Sequence, residues 1–506
     1  MITKTCFFLL FISFILVSCS PKQNDFVFYI VQLNDVYEIA PINNGKNGGL
    51  ARVAWLIDSL KVSGKPVFTV LAGDFLSPSF IGTLKSEELG ERIYGLHVVE
   101  SMNAAGIDLV TFGNHEFDIP EKSLRYRMNA SSFSWTSANT KSVDNRTPFG
   151  KQVQNGYELV SEYFIQTLTN QTGQSLKLGI LSATLPFNKA SYVKYEDPFE
   201  SIKQVFPRVQ NESDITVFLT HLEASDDKKL AELYPSVPLI MGGHDHTNME
   251  INTEFNKVTK ADANAKSIYI HKFNYNFQTK KVSVQSELKQ VTDQIPFQNK
   301  TNEVVQKWLS IAHNNMERLG FENDKVVTKS DSILDGLESS VRVKQTNLGK
   351  LIANAMKYAS KNADIAFLNS GSIRIDDKLT GIITLTDIFR ILPYGGKIVT
   401  TTMTGSELEK MLNIGLKTNI GIGGYLQTSG INIENQEYFI NGKKLSKKMS
   451  YKVVLTDFMS SGKEANFDWL KDFKYLNVDA DPDNPKENDI RQLLINYIKV
   501  MDAKKK

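Results

Sequence analysis

Cysteine is nearly absent. The 506-residue chain has two, Cys6 and Cys19, both close to its start. The rest of the chain therefore has no disulfide, no thiolate metal site and no thiol nucleophile. Any metal must be held by nitrogen and oxygen ligands. Net charge is nearly absent as well: 58 Lys and Arg against 56 Asp and Glu leave +2. That balance offers no electrostatic case for nucleic acid as a partner. Beyond the N-terminus there is no apolar run long enough to span a bilayer, which excludes a polytopic membrane protein. Hydrophobic residues at 41% and charged residues at 23% exclude a disordered chain. No collagen-like or other internal repeat is visible.

The one long apolar run covers residues 5–17, behind a single early lysine, Lys4. A short apolar run with a basic start is the pattern of a secretory leader. It falls short of the ~20 residues that a stable bilayer span needs. It ends Leu16-Val17-Ser18-Cys19 and continues Ser20-Pro21-Lys22-Gln23-Asn24, which resembles a bacterial lipobox followed by a polar tether. The expectation is a lipoprotein signal peptide over 1–18, a lipidated Cys19 opening a tether over 19–25, and a periplasmic or cell-surface protein anchored to a bacterial membrane. An ordinary cleaved leader with a chance cysteine is the alternative.

From Phe26 onward, short apolar runs alternate with helical patterns, as in βαβ units. Strands are expected over 26–33, 67–71, 109–112, 176–183, 215–219 and 237–241. Each has the length and the Val, Ile, Leu and Phe content of a buried strand. A polar stretch over 280–302 reads as the close of this first unit. A helix over 303–318, with Val304, Val305, Trp308, Leu309 and Ala312 on one face and Gly320 as its C-cap, reads as a linker. A second unit follows, with a helix over 347–359, a strand over 364–368 and a Gly-rich loop over 421–424. The expected partition is 26–300, a linker over 301–325, and 326–506.

Polar clusters follow five of the apolar runs. They are Asn34-Asp35-Val36-Tyr37-Glu38, Ala72-Gly73-Asp74, Gly113-Asn114-His115-Glu116-Phe117-Asp118, Thr220-His221-Leu222-Glu223 and Gly242-Gly243-His244-Asp245-His246. In open α/β sheets, ligands bind beyond the carboxyl ends of the strands. Taken singly, Asp35 and Asp74 read as turn residues, Asn114 as a left-handed turn position, and His221 as an ordinary histidine. Taken together, each behind a strand, they project Asp, Asn and His into one place. Carboxylate plus imidazole without thiolate suits Zn, Mn or Fe. Two such metals about 3.5–4 Å apart form a clamp for phosphate-ester hydrolysis. Asp74, at a strand end, is the natural bridge between them.

The order and wording of these clusters resemble the calcineurin-like metallophosphoesterases, and within them the bacterial 5′-nucleotidase and UDP-sugar hydrolase family. The resemblance implies an α/β fold: a four-layer αββα sandwich, a linker helix and a second α/β domain. It implies two divalent metal ions. Asp35, Asp74 and His246 would hold the first; Asp74, Asn114, His221 and His244 would hold the second. His115, oriented by Asp118, would be the catalytic dyad, and a hydroxide bridging the metals would attack phosphorus in line. One departure stands out. The family's first motif is Asp-x-His, and here it is Asp35-Val36-Tyr37. Tyr37 would ligate as a phenolate, or leave a water-filled position, or give way to another residue, of which His271 is the spare.

The second unit carries the rest of the resemblance. Val341-Arg342-Val343-Lys344-Gln345-Thr346-Asn347-Leu348-Gly349 resembles the family's arginine-bearing start of a helix, with Asn347 a candidate cap. Phe367-Leu368-Asn369-Ser370-Gly371-Ser372-Ile373-Arg374 resembles its Asn-x-Gly-x-Ile-Arg motif, and Leu392-Pro393-Tyr394 its Leu-Pro-Phe segment. Asp457-Phe458-Met459-Ser460-Ser461-Gly462-Lys463-Glu464 resembles a degraded Phe-x-x-x-Gly-Gly-Asp. By this resemblance Tyr394 and Phe458 would stack on a base, Arg342, Asn369 and Arg374 would hold phosphate or ribose, and Glu464 would meet ribose hydroxyls. The expectation is a phosphohydrolase acting on nucleoside 5′-monophosphates or related nucleotides. The rivals are a cyclic-nucleotide phosphodiesterase or sugar-phosphate phosphatase on the same site, and a nucleotide-binding lipoprotein impaired in catalysis by Tyr37.

Overall fold

The structure is a computed structural model describing residues 24–86, 89–187, 190–321, 326–478 and 485–505. The leader and the expected lipid attachment at Cys19 lie outside the described residues. Among the described residues no helix is long and apolar enough to cross a membrane.

Two six-stranded sheets lie face to face. The first has the spatial order Val282–Gln290, Ser267–Asn276, Asp25–Leu33, Val67–Ala72, Leu109–Thr111, Ser134–Thr136. The second has the order Tyr163–Thr169, Ser175–Thr184, Ile215–His221, Leu239–Gly242, Lys257–Lys260, Met249–Asn252. All six expected strands are present, within about two residues of their expected ends. Strand alternation sorts the side chains. Phe26, Phe28 and Ile30 enter the core between the sheets, against Leu178, Ile180 and Val217 of the second sheet. Val31 and Leu33 of the same strand face the outer helices. Helices Leu50–Lys61, Leu96–Ala105 and Glu121–Ala130 cover the first sheet; Pro198–Glu212 and Ala224–Leu233 cover the second. The result is the four-layer αββα order.

One local expectation gains detail and one needs correction. The polar stretch over 280–302 contains a strand, Val282–Gln290, paired antiparallel with Ser267–Asn276. It lies at the sheet edge with alternating exposure, which its polar composition permits. The linker helix begins earlier, at Asn299, because the Gln298 side chain accepts the Thr301 N–H at 2.7 Å. This helix is also docked against Leu50–Lys61 and Leu96–Ala105. Its Trp308 is buried and donates Nε1–H to Glu100 at 3.0 Å.

The second unit is built on a five-stranded sheet ordered Leu426–Ser429, Ile365–Asn369, Ser450–Thr456, Ile398–Thr404, Leu476–Asn477. Helix Asn347–Ala359 is capped by Thr346, which accepts the Gly349 N–H at 3.0 Å, rather than by Asn347. The two units share apolar contacts: Phe389 packs on Phe80 at 4.7 Å between ring centroids and on Phe321 at 5.0 Å. Truncating Trp308 to Ala removes the largest buried side chain of the docked helix. Urea denaturation of Trp308→Ala is expected to show a loss of about 3–5 kcal/mol with an unchanged slope.

Candidate active site

The parallel strands of both sheets end at the same cleft. Asp25–Leu33 runs into Asp35, Val67–Ala72 into Asp74, and Leu109–Thr111 into Asn114 and His115. From the second sheet, Ile215–His221 ends in His221 and Leu239–Gly242 runs into His244 and His246. Four of these residues bend sharply as they leave their strands. Asp35, Asp74, His244 and His246 have φ of 54°, 60°, 82° and 58°. Left-handed conformations at bulky residues cost energy and cluster at functional sites. Two glycines make room for the bends. A Cβ on Gly113 would lie 2.1 Å from Asp74 Oδ1, and one on Gly243 would lie 2.3 Å from the Ala72 carbonyl.

The donor atoms fall into two groups that share Asp74. In one, Asp74 Oδ2 is 3.2 Å from His221 Nε2, which is 3.2 Å from Asn114 Oδ1. Asn114 Oδ1 is in turn 3.2 Å from His244 Nδ1. In the other, Asp74 Oδ2 is 2.9 Å from the Tyr37 hydroxyl, which is 3.2 Å from His246 Nε2. His246 Nε2 is 3.1 Å from Asp35 Oδ1. Metal–ligand bonds of ~2.0–2.1 Å in tetrahedral array give ligand–ligand edges of about 3.3 Å. The observed spacings match. Asp35 Oδ1 is fully buried and makes no hydrogen bond, which is costly for a carboxylate oxygen unless a cation faces it. Asp35, Asp74 and His221 together offer ligand atoms within 4.8 Å of one another. The donors therefore fit metal ions.

Each imidazole in these groups is oriented through its other ring nitrogen. His221 Nδ1–H donates to the Ala72 carbonyl at 2.7 Å and His244 Nε2–H to Glu223 at 3.2 Å. His246 Nδ1 pairs with Asp376. These partners fix the tautomers that turn the remaining nitrogens toward the donor groups. Tyr37, which stands at the His position of the Asp-x-His pattern, has its hydroxyl between Asp74 and His246. Its hydroxyl is neutral: burial, then the carboxylates of Asp74 and Asp35, push its pKa well above the ordinary phenol value. His271 is not a substitute. It lies in strand Ser267–Asn276, held by Ser286 at 2.8 Å and Gln32 at 2.9 Å, and burial pushes it down to about 3.

His115 stands beside the donors. Its Nδ1 donates to Asp118 at 2.6 Å, and its backbone N–H donates to Asp74 Oδ1 at 2.7 Å. Burial disfavours a charged ring here, yet Asp118 and Asp74 outweigh it, and the His115 pKa is raised. The second unit supplies the opposite wall of a cavity of about 300 Å³. Arg342 lines it, paired with Glu338 at 2.6 Å. Arg374 approaches Asp118 to 4.0 Å. Asn369 donates to Glu464 at 2.5 Å, and burial raises the Glu464 pKa. Tyr394 and Phe458 are about half exposed, at 49% and 45%, so neither serves a hydrophobic core. Tyr394 lies by Arg374 and Ser77.

Four residues of consequence go beyond the sequence expectations. Glu116 accepts the backbone N–H groups of Asp74, Phe75, Leu76 and Gly113 and so holds the Asp74 turn against the Gly113 turn. It sits inside the same motif as His115 and Asp118, which is the signal that could have found it. Glu223 lies two residues past His221 in its cluster. Asp376 lies two residues past Arg374 and carries no local signal. Lys260 is fully buried; its Nζ binds the carbonyls of Leu222 at 2.6 Å and Gly243 at 2.7 Å, Asp227 at 2.9 Å, and Asp245. It ties the His221 loop to the His244 loop.

Comparison with known proteins fits this geometry. The chain matches the calcineurin-like phosphoesterase family over residues 28–248 and the 5′-nucleotidase C-terminal domain family over residues 326–472. It is 27% identical over 372 residues to the trifunctional nucleotide phosphoesterase YfkN of Bacillus subtilis, covering 67% of this chain and 25% of that protein. It is 25% identical over 431 residues to the 5′-nucleotidase of Vibrio cholerae, covering 72% of each. The crystal structure of a 5′-nucleotidase precursor from Thermus thermophilus superposes with a TM-score of 0.70 at 22% identity, covering 94% of this chain and 97% of that one.

Lys260→Met keeps the apolar stem but leaves Asp227 as an unpaired buried charge. The variant is expected to lose about 3–5 kcal/mol in denaturant unfolding. With two donor groups sharing Asp74, and both family matches in the expected order, the chain belongs to the two-domain 5′-nucleotidase family of calcineurin-like phosphoesterases.

Proposed function

We propose that this protein is a metal-dependent phosphohydrolase that removes phosphate from nucleoside 5′-monophosphates or related nucleotides. A catalytic unit over 26–300 is joined through 301–325 to a nucleotide-binding unit over 326–506. The observation that carries this reading is the convergence, on one cleft, of two donor groups sharing Asp74, the His115–Asp118 pair, and two arginines from the opposite unit.

Asp35, Tyr37, Asp74 and His246 would hold one divalent ion, and Asp74, Asn114, His221 and His244 the other. Zn, Mn and Fe suit these donors. Such a pair supplies Lewis-acid stabilisation of phosphoryl charge and an activated water. The protein groups do the rest. Asp118 accepts from His115 Nδ1, which turns Nε2 toward the cleft as a proton donor to an oxygen of the phosphoryl group. Arg342 and Arg374 offer bidentate contacts to phosphate. Asn369 and Glu464 supply hydrogen bonds to the ribose. Tyr394 and Phe458 offer ring faces on which any base can stack, each stack being worth about 1–3 kcal/mol. The leader supports a bacterial envelope location, with Cys19 lipidated and the enzyme tethered to a membrane surface.

The test is phosphate release from AMP, UMP and a UDP-sugar by residues 20–506, stripped of metal and then titrated with Zn²⁺, Mn²⁺, Co²⁺ and iron. Restored turnover is expected, with His115→Ala lowering kcat by about 10²–10⁴-fold. Turnover confined to cyclic nucleotides or sugar phosphates would replace the substrate class. Nucleotide binding without phosphate release under any metal would overturn the reading and mark Tyr37 as the signature of a ligand-capture protein. A second expectation concerns Tyr37 itself. Tyr37→His should strengthen binding of the more weakly held Zn²⁺, measured by metal-buffered titration, while leaving the tighter site unchanged.

A further inference from the structure

The three imidazoles of the donor groups differ in where their outer partners come from. His221 is oriented by Ala72 and His244 by Glu223, both within the first unit. His246 is oriented by Asp376, which belongs to the second unit. Asp376 is itself held: it sits at φ 41°, its Oδ1 accepts the Glu338 N–H at 2.5 Å, and its side chain is almost buried. It lies two residues after Arg374, the arginine that approaches Asp118.

We propose that Asp376 is a positioning residue for His246, and that the first metal site is completed only when the second unit is docked. The inference rests on the metal-dependent reading above. The Nδ1–H of His246 donates to Asp376, which leaves the Nε2 lone pair facing Asp35 Oδ1 and the Tyr37 hydroxyl. With Tyr37 in place of an imidazole, His246 is the single nitrogen donor of that group. Its orientation and basicity therefore bear on the whole site. The same turn carries Arg374, so one movement of the second unit delivers a phosphate-binding arginine and locks a metal-ligating histidine. The second site depends on no such contact, because its outer partners come from its own unit.

The test compares wild-type protein with Asp376→Ala, Asp376→Asn and Asp376→Glu, using Mn²⁺ or Zn²⁺ alone in calorimetric titration of the metal-free protein. Wild type is expected to bind two ions. Asp376→Ala is expected to weaken one of them by about 10–100-fold and leave the other unchanged, with partial recovery in Asp376→Glu. The near-isosteric Asp376→Asn, which keeps the volume and safeguards the fold, should show the same one-site loss. In metal-free protein, ¹⁵N-histidine spectra should show the Nδ1–H form of His246 in wild type and its loss in Asp376→Ala. Equal affinities at both sites in wild type and the folded variants would overturn the proposal, as would an unchanged His246 spectrum. A wild-type protein that binds no metal would instead overturn the metal-dependent reading, so the two failures are separable.

Discussion

A single carboxylate, Asp74, has to face two donor groups at once, and much of the surrounding structure serves that requirement. Its strand ends at Ala72, Gly73 follows, and Asp74 takes a left-handed conformation that costs of order 1–3 kcal/mol for a side chain of this kind. Glu116 offsets that cost by accepting the Asp74, Phe75 and Gly113 amides, and Gly113 leaves space where a Cβ would strike the carboxylate. One oxygen then accepts the His115 backbone amide at 2.7 Å, and the other is left to the donors. His221 and His115 hold Asp74 well below the usual carboxylate range against the opposing effect of burial. The dyad histidine and the shared carboxylate are thus linked through the main chain, and displacement of one displaces the other.

The second unit does more than close the cleft. Arg342 meets the cavity already paired with Glu338 at 2.6 Å, so an arriving dianion competes with a resident carboxylate for that guanidinium. Among the described residues Arg374 has no partner that close; it stands 4.0 Å from Asp118. The two arginines therefore differ in how freely they meet a phosphate. Between the units, Arg390 is buried against Asp387 at 3.1 Å and Glu38 at 3.5 Å, beside the Phe80–Phe389 contact. An ion pair and an aromatic pair at one interface hold the units in a defined docking, which the arginine positions require.

What was legible in the chain followed from locality. The five polar clusters could be read because each follows an apolar run of strand length, and a strand's carboxyl end is where such residues act. The Ile365–Asn369 strand and the Asn347–Ala359 helix were legible for the same reason. The edge strand Val282–Gln290 was not, because an edge tolerates polar residues on its open face and so loses the apolar signature. The docking of the linker helix was not legible either, since its amphipathic pattern shows that a face is buried and not against what. Lys260 and Asp376 were invisible for a deeper reason. Each acts on a residue brought near by tertiary folding, Lys260 on the Gly243 carbonyl and Asp376 on His246, and no spacing in the chain encodes those encounters.

Tyr37 shows the opposite case: plain in the sequence, and interpretable only in three dimensions. As a letter it is a missing imidazole. In the structure its hydroxyl lies 2.9 Å from Asp74 and 3.2 Å from His246, inside the donor group. If Tyr37 acts as proposed, the substitution changes the kind of donor offered to that group. On the proposed assignment the first group has three oxygens and one nitrogen, and the second has two of each. Oxygen-rich sites favour harder cations and imidazole-rich sites favour Zn and its neighbours. A neutral phenol is a weak ligand, and burial beside two carboxylates keeps Tyr37 neutral until a cation offsets them. On that assignment the first group would favour an ion acidic enough to take the phenol's proton, whereas the second, with two imidazoles, would favour Zn and its neighbours.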